Sequence, residues 1–225
     1  MDNSIASPSI FIESNILGVY NLLELIRGKV YSRPQFIQIS TDEVYGDADD
    51  GDSHFKEGHK LTPSNPYAGS KAAAEMMIMS YGRTFGIDYK ITRSTNNYGP
   101  RQYPEKLIPK CIDSIESGKK IPLHGDGSYV RDWIHVEDNV SGIWYVMDYG
   151  ENRNVYNISG NNPLSNLDVV KEVCSWFGIS DYESHIDFVE NRLGQDARYS
   201  IDSIKIEELC WSRKFGKGLT NYVKH

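Results

Sequence analysis

The sequence predicts an α/β fold with a largely parallel sheet, and three observations predict it. Short β-rich segments alternate with helical segments along the chain. Two of those strands run straight into polar, chemistry-bearing residues at their carboxyl ends. No internal repeat or low-complexity linker interrupts the alternation.

Taken in order, residues 11–26 (FIESNILGVYNLLELI) place apolar side chains at helical spacing, on a face wider than a simple surface helix needs, and Gly28 closes the helix. Residues 36–40 (FIQIS) alternate and are β-rich, so they read as a strand that leads into Thr41-Asp42-Glu43. The acidic, turn-rich stretch 46–62 reads as a surface loop. Its Asp47 to Asp52 run resembles a calcium loop only faintly, because Asp52 and Gly58 stand where that loop needs Gly and Glu; a solvated loop and no metal are expected. Pro66 precedes a long helix over 67–85, ended by Gly86. A second strand over 87–93 leads into the polar stretch 95–99. Residues 121–124 and 129–136 read as extended, 138–149 as helix, 155–159 as strand, and 166–177 and 201–209 as helices.

The 225 residues suffice for one sizeable domain, and 39% hydrophobic with 24% charged residues is a globular balance. The net charge of −7 argues against nucleic acid, which needs a basic face, but not against a small anionic ligand. Cys111, Cys174 and Cys210 are odd in number and widely spaced, which suits a reducing compartment. No unbroken apolar run of membrane-spanning length and no signal-like start is read, so a cytoplasmic protein is expected.

Two constellations carry chemistry. Tyr67-Ala68-Gly69-Ser70-Lys71 puts Tyr and Lys one helical turn apart, where an ammonium can lower the phenol's pKa so that it accepts a proton from a hydroxyl. That spacing alone is common, and a Tyr packed on the core with Lys in solvent is the plain alternative. Its position matters more: it opens a helix that follows the strand ending in Ser40-Thr41-Asp42-Glu43, so both motifs face the crevice beyond the strand ends. Two adjacent carboxylates there supply an acid and a base if their environments separate their pKa values.

The blocks TDEVYG, NPYAGSKAAAE, RSTNNYGPRQYPEKLIP and HGDGSYVRDWIHVEDN, in this order and spacing, resemble the dTDP-glucose 4,6-dehydratases of the extended short-chain dehydrogenase/reductase family, over nearly the whole chain. Epimerases of that superfamily generally carry small hydroxyl residues where Asp42 and Glu43 stand. The resemblance implies the C-terminal part of a doubly wound, Rossmann-type parallel sheet plus a smaller substrate-binding lobe. Residues 1–98 with 131–160 would form the sheet domain, and 99–130 with 161–225 the lobe. It implies NAD as a catalytic cofactor, met by Tyr67, Lys71 and Asn97. Tyr67, helped by Lys71 and Thr41, would take the C4 hydroxyl proton of the sugar while the hydride leaves to NAD. Glu43 would take the C5 proton, Asp42 would protonate the departing C6 hydroxyl, and the hydride would return to C6. Thr41, Asn96, Lys106, Leu107, Pro122, His124, Arg131, Asn166, Arg192, Asp196 and Tyr199 match substrate-binding positions. His124 stands where many relatives have Tyr, and Arg192-Leu193 lacks the usual Pro after Arg.

A dinucleotide fold opens with a strand, a Gly-rich turn and a helix that holds the pyrophosphate. No GxGxxG occurs here; Gly125-Asp126-Gly127 lacks the third Gly and matches a substrate-side segment. By the resemblance, the family's first βαβαβ half is not in this sequence. A fragment, a degenerate enzyme and a half completed by another polypeptide all fit. The resemblance also implies a homodimer through helices 11–26 and 67–85, with no membrane and no metal. Three functions stay open: a dehydratase acting on dTDP-glucose, the same chemistry on UDP-glucose, and a cofactor-deficient nucleotide-sugar-binding or interaction module.

Overall fold

The computed structural model describes residues 2–29, 34–48, 54–191, 193–219 and 222. The chain starts with a helical rod built in pieces: α1 (Asp2–Ala6), α2 (Pro8–Phe11), a π-helical turn (Ile12–Leu17) and α3 (Gly18–Arg27). Pro8 sits in the first turn of α2, where its missing N–H costs nothing. The sequence suggests one regular helix over 11–26. The wider π turn instead lets Asn15 reach the next long helix, where its Nδ2 donates to Ser70 Oγ at 2.9 Å.

β1 (Phe36–Thr41) follows and ends in a 3₁₀ turn, Asp42–Tyr45. The helix α4 (Pro66–Phe85) is capped at both ends, by Asn65, whose side chain accepts from Ala68 N, and by Gly86 in the left-handed conformation at φ 69°. Then come β2 (Tyr89–Ser94), β3 (Asn96–Tyr98), α5 (Leu107–Glu116), β4 (Ile121–His124), β5 (Val130–His135) and α6 (Val136–Tyr149). The chain closes with β6 (Asn154–Ile158), β7 (Pro163–Ser165), α7 (Asn166–Trp176), a 3₁₀ turn (Glu183–His185), β8 (Ile186–Val189) and α8 (Ile204–Glu207).

β2 is buried at every position and lies between β1 and β6, parallel to both, with Ile39 opposite Thr92 and Thr92 opposite Tyr156. Such a strand has no solvent face, which is why YKITRS carries Arg93 inside only as half of an ion pair with Glu75 of α4. β3, β5 and β7 form a second sheet, and β4 pairs in parallel with β8 in a third. Val19, Leu23 and Ile26 of α3 pack with Ala74 and Ile78 of α4 and with Tyr89 and Ile91 of β2. A second core joins α5, β4 and α7 through Ile108, Cys111, Ile121, Leu123, Val173 and Cys174. Residues of the β1–β2 sheet side and of the part built on α5, β4 and α7, called the lobe, line one cleft.

Several expectations change. α5 and the short strands β3, β7 and β8 were not read from sequence. The helix expected over 201–209 shrinks to Ile204–Glu207, because Ile201 bridges to Phe55 instead. Pro8–Arg27 is long and apolar enough by length and composition to cross a membrane, although Ser14, Asn15 and Asn21 break its apolar run in sequence. Its inner face packs on α4, while Leu17, Leu22 and Leu25 are half or more exposed. Arg192 and the part of the acidic stretch from 49 to 53 lie outside the described residues.

Candidate active site

Parallel pairing brings the carboxyl ends of β1 and β2 side by side, with Thr41 opposite Ser94. A cleft of about 530 Å³ opens beyond them. Thr41, Glu43, Tyr67 and Lys71 line its inner end, and Asn96 and Asn97 the strand after β2. Lys106, Leu107, Pro122, His124, Arg131, Asn166 and Tyr199 line the lobe side. The sequence blocks therefore converge on one cavity. Its lining also includes Ser94, Thr95, Gln102, Tyr103, Lys110, Asn139 and Gln195, which sequence reasoning missed. Ser94 and Thr95 could have been found from their place at a strand's carboxyl end, whereas Asn139 and Gln195 carry no local signal.

The carboxylates are set by the 3₁₀ turn. Thr41 Oγ1 donates to Asp42 Oδ1 at 3.2 Å and accepts from Glu43 N at 3.3 Å, fixing both residues against one hydroxyl. Asp42 is 2% exposed, its Oδ2 has no hydrogen-bond partner, and it stands one layer behind the lining, reaching the cleft through Thr41. Burial first, then the Glu43 and Asp132 carboxylates, push Asp42 well above the usual carboxylate range. Burial also raises Glu43, opposed by a 3.4 Å hydrogen bond from Asn65 Nδ2 and by the charges of Arg131 and Lys106. The two carboxyls thus differ: one is enclosed, the other faces the cavity and is held by a neutral donor.

Tyr67 stands in the first turn of α4, with Phe11 edge-on to its ring at 6.0 Å. Burial, then Glu43 and Asp42, push its phenol up. The lowering by Lys71 that the sequence suggests is not seen. Lys71 Nζ donates instead to the backbone oxygen of Ile39 at 2.6 Å, on the outermost strand of its sheet. Burial lowers the Lys71 ammonium and the Glu75 carboxylate acts the other way.

On the lobe side, Arg131 lines the cleft but spends its fork on backbone. Its Nη1 donates to Val130 O at 2.7 Å and its Nη2 to Asp196 O at 2.8 Å. Its guanidinium lies 4.3 Å from the Tyr199 ring centre. A bidentate grip on an anionic ligand by this side chain is therefore not preformed, although Arg131 lines the cavity. Asp196 is not in the lining: its carboxylate accepts from Tyr199 Oη at 2.8 Å and from Ser64 Oγ at 2.5 Å, so it anchors the wall instead of touching the cavity. His124 Nδ1 meets Glu190 O at 2.7 Å, which leaves its other nitrogen for the cleft.

A neighbouring hub stiffens the floor. Asp132, 5% exposed, accepts from Ser159 Oγ at 2.7 Å and from the backbone N–H groups of Gly160, Asn161 and Asn162 at 2.9, 3.2 and 2.5 Å.

The chain is similar to known proteins over most of its length. The family model described as GDP-mannose 4,6 dehydratase matches residues 1–220. A dTDP-glucose 4,6-dehydratase from Neisseria gonorrhoeae is 41% identical over all of this chain and 70% of its own length. A trifunctional UDP-glucose 4,6-dehydratase, 3,5-epimerase and reductase from Arabidopsis thaliana is 43% identical over 95% of this chain and 32% of its own. The crystal structure of the dTDP-glucose 4,6-dehydratase DesIV from Streptomyces venezuelae, with NAD bound, superposes with a TM-score of 0.90 at 39% identity, over 96% of this chain and 65% of that one. The chain thus spans about two thirds of the length of these single-function relatives. With a family model matched almost end to end and a shared fold, the chain belongs to the GDP-mannose 4,6 dehydratase family, among the relatives of the dTDP-glucose 4,6-dehydratases.

Proposed function

We propose that this chain carries the catalytic and nucleotide-sugar-binding part of a 4,6-dehydratase that acts on dTDP-glucose with NAD as cofactor. The observation that carries the reading is the pair Asp42 and Glu43 at the carboxyl end of β1, set differently by their surroundings, beside a cleft lined by Tyr67 and Lys71. Oxidation at a sugar carbon needs one base; expelling a neighbouring hydroxyl needs an acid and a base as well, and the site supplies both.

Tyr67 accepts the proton of the C4 hydroxyl, once Lys71 leaves Ile39 O and turns its charge to the phenol. Glu43 faces the cavity and takes the C5 proton. Asp42, pushed toward its neutral form by burial, gives its proton to the departing C6 hydroxyl through Thr41, whose hydroxyl then turns from donating to Asp42 Oδ1 to accepting from it. Lys106, Lys110 and the Arg131 charge attract the diphosphate, with Asn166 and Tyr199 closing that end.

The residues present fit the nicotinamide end of NAD. Ser40 Oγ and Asn97 Oδ1 are buried without partners beside Lys71, and they suit a carboxamide and a ribose. A Gly-rich turn for the pyrophosphate is not found among the described residues. When bound, NAD supplies reversible hydride acceptance, which the side chains cannot. The same chemistry on a UDP-sugar is the second reading, favoured by the likeness to the Arabidopsis protein. The apolar outer face of α3 with Met76 and Phe85 of α4 suits pairing of two copies.

The test is to incubate the purified chain with NAD and dTDP-glucose or UDP-glucose and follow the 4-keto-6-deoxy product. Tyr67→Phe should cut the rate about 10²- to 10⁴-fold. Nucleotide-sugar binding without product would identify a binding module, and neither binding nor product would refute the reading.

A further inference from the structure

We propose that Glu75, clamped by Arg93, is the positioning residue that keeps the Lys71 side chain charged inside the cleft. Tyr67, Lys71 and Glu75 follow one another at four-residue spacing on α4, so each lies one turn above the last on a single face. Glu75 is wholly buried and Arg93 is 2% exposed. Arg93 Nε donates to Glu75 Oε1 and Oε2 at 3.2 and 3.1 Å, and Nη2 to Oε2 at 2.5 Å. Two nitrogens of Arg93 thus hold both oxygens of the enclosed Glu75 carboxyl, and the two side chains form a buried ion pair.

The clamp also has a second end. Arg93 Nη1 donates to Tyr45 Oη at 2.6 Å, and its guanidinium lies 4.7 Å from the centre of that ring. Tyr45 ends the 3₁₀ turn that carries Asp42 and Glu43, and its hydroxyl donates to Asn157 Oδ1 of β6 at 2.9 Å. One enclosed cluster therefore joins the helix of Lys71, the turn of the two carboxyls and two strands of the sheet. The reading rests on the part given to Lys71 in the proposed function.

The charged and titratable groups around Lys71 come from each packed element. α4 contributes Tyr67 and Glu75, Glu43 of the turn lines the same cleft, and β2 contributes Arg93 behind Glu75. β1 contributes only the Ile39 carbonyl. Burial works against the ammonium and Glu75 is the group that opposes it.

The experiment reads Lys71 directly, in the chain itself and without turnover. In a chain labelled with ¹³C-lysine, the Lys71 Cε resonance, assigned with Lys71→Arg, is titrated against pH. Glu75→Gln should lower the Lys71 midpoint by about one unit, and Glu75→Asp should recover most of it. Glu75→Gln leaves Arg93 enclosed without its partner, so the paired variant Glu75→Leu with Arg93→Met is measured alongside. That swap removes both charges at similar volume, and because the Arg93 cation goes too it should give a smaller fall in the same direction. An unchanged Lys71 midpoint in either variant, with native circular dichroism, overturns the proposal. A failure of dehydration would leave this titration as it stands, so the two readings fail separately.

Discussion

Asn65 serves the fold and the site with different atoms, and substitution can separate the two. Its Oδ1 accepts from Ala68 N at 2.9 Å and so caps α4, while its Nδ2 donates to Glu43 Oε2 at 3.4 Å. Asn65→Ala removes both. Loss of a side-chain cap costs about 1 kcal/mol, and at 6% exposure water does not readily replace the lost acceptor. For a chain of this size, that lowers the melting temperature by about 2 to 4 °C. Asn65→Ser keeps a capping oxygen but cannot reach Glu43. It should melt close to the parent, yet shift Glu43 further up by removing the bond that holds it down. Melting is followed by circular dichroism and Glu43 by its ¹³C carboxyl shift against pH. The reasoning fails if Asn65→Ser melts as low as Asn65→Ala, or if Glu43 titrates identically in parent and both variants.

Asp42→Asn should stabilise the chain at neutral pH. The raised carboxyl contributes stability that is complete below the unfolded value of about 4 and is lost as pH climbs toward its folded value, so the variant's advantage in urea midpoint should vanish near pH 4 and grow toward pH 7. An advantage that shrinks with rising pH would contradict this. Gly160→Ala should cost about 3 kcal/mol, because a Cβ there would meet the Trp133 backbone oxygen at 2.0 Å beside the Asp132 hub; an unmoved urea midpoint would refute it. Leu22→Glu, on a half-exposed site of α3, should turn a sedimenting dimer into a folded monomer. A parent chain that sediments as a monomer would remove the basis for that expectation.

The catalytic blocks were legible because each is continuous in sequence: Thr41 to Glu43 follows one strand and Tyr67 to Lys71 opens one helix. What was not legible depends on contacts between distant segments. Lys71 bonded to Ile39 O, Arg131 turned onto the backbone at Asp196, and Asp196 itself placed behind the wall are all outcomes of packing. α5 is legible in the helical spacing of Ile108, Cys111, Ile112 and Ile115, but Pro109 inside its first turn obscures the start. β7 and β8 are three and four residues long, too short to show a period. Ile201 was counted into a helix because its bridge partner, Phe55, is remote in the chain.

The pairing of β4 with β8 joins Ile121 to Ile186, and the cleft wall is finished by Tyr199. A ribosome delivers about 5 to 20 residues per second, so for several seconds β4 and α5 stand outside the exit tunnel without the strand and helix that cover them. Ile121, Leu123 and Ile108, all enclosed in the finished protein, are exposed during that interval. The sheet of β1, β2 and β6 closes earlier, at Ile158. Synthesis therefore completes the side that carries Asp42 and Glu43 first and the lobe side of the cleft last. A nascent chain stalled between these points would be sticky to holdase chaperones, and would carry Asp42, Glu43 and Tyr67 without the far wall of their cleft.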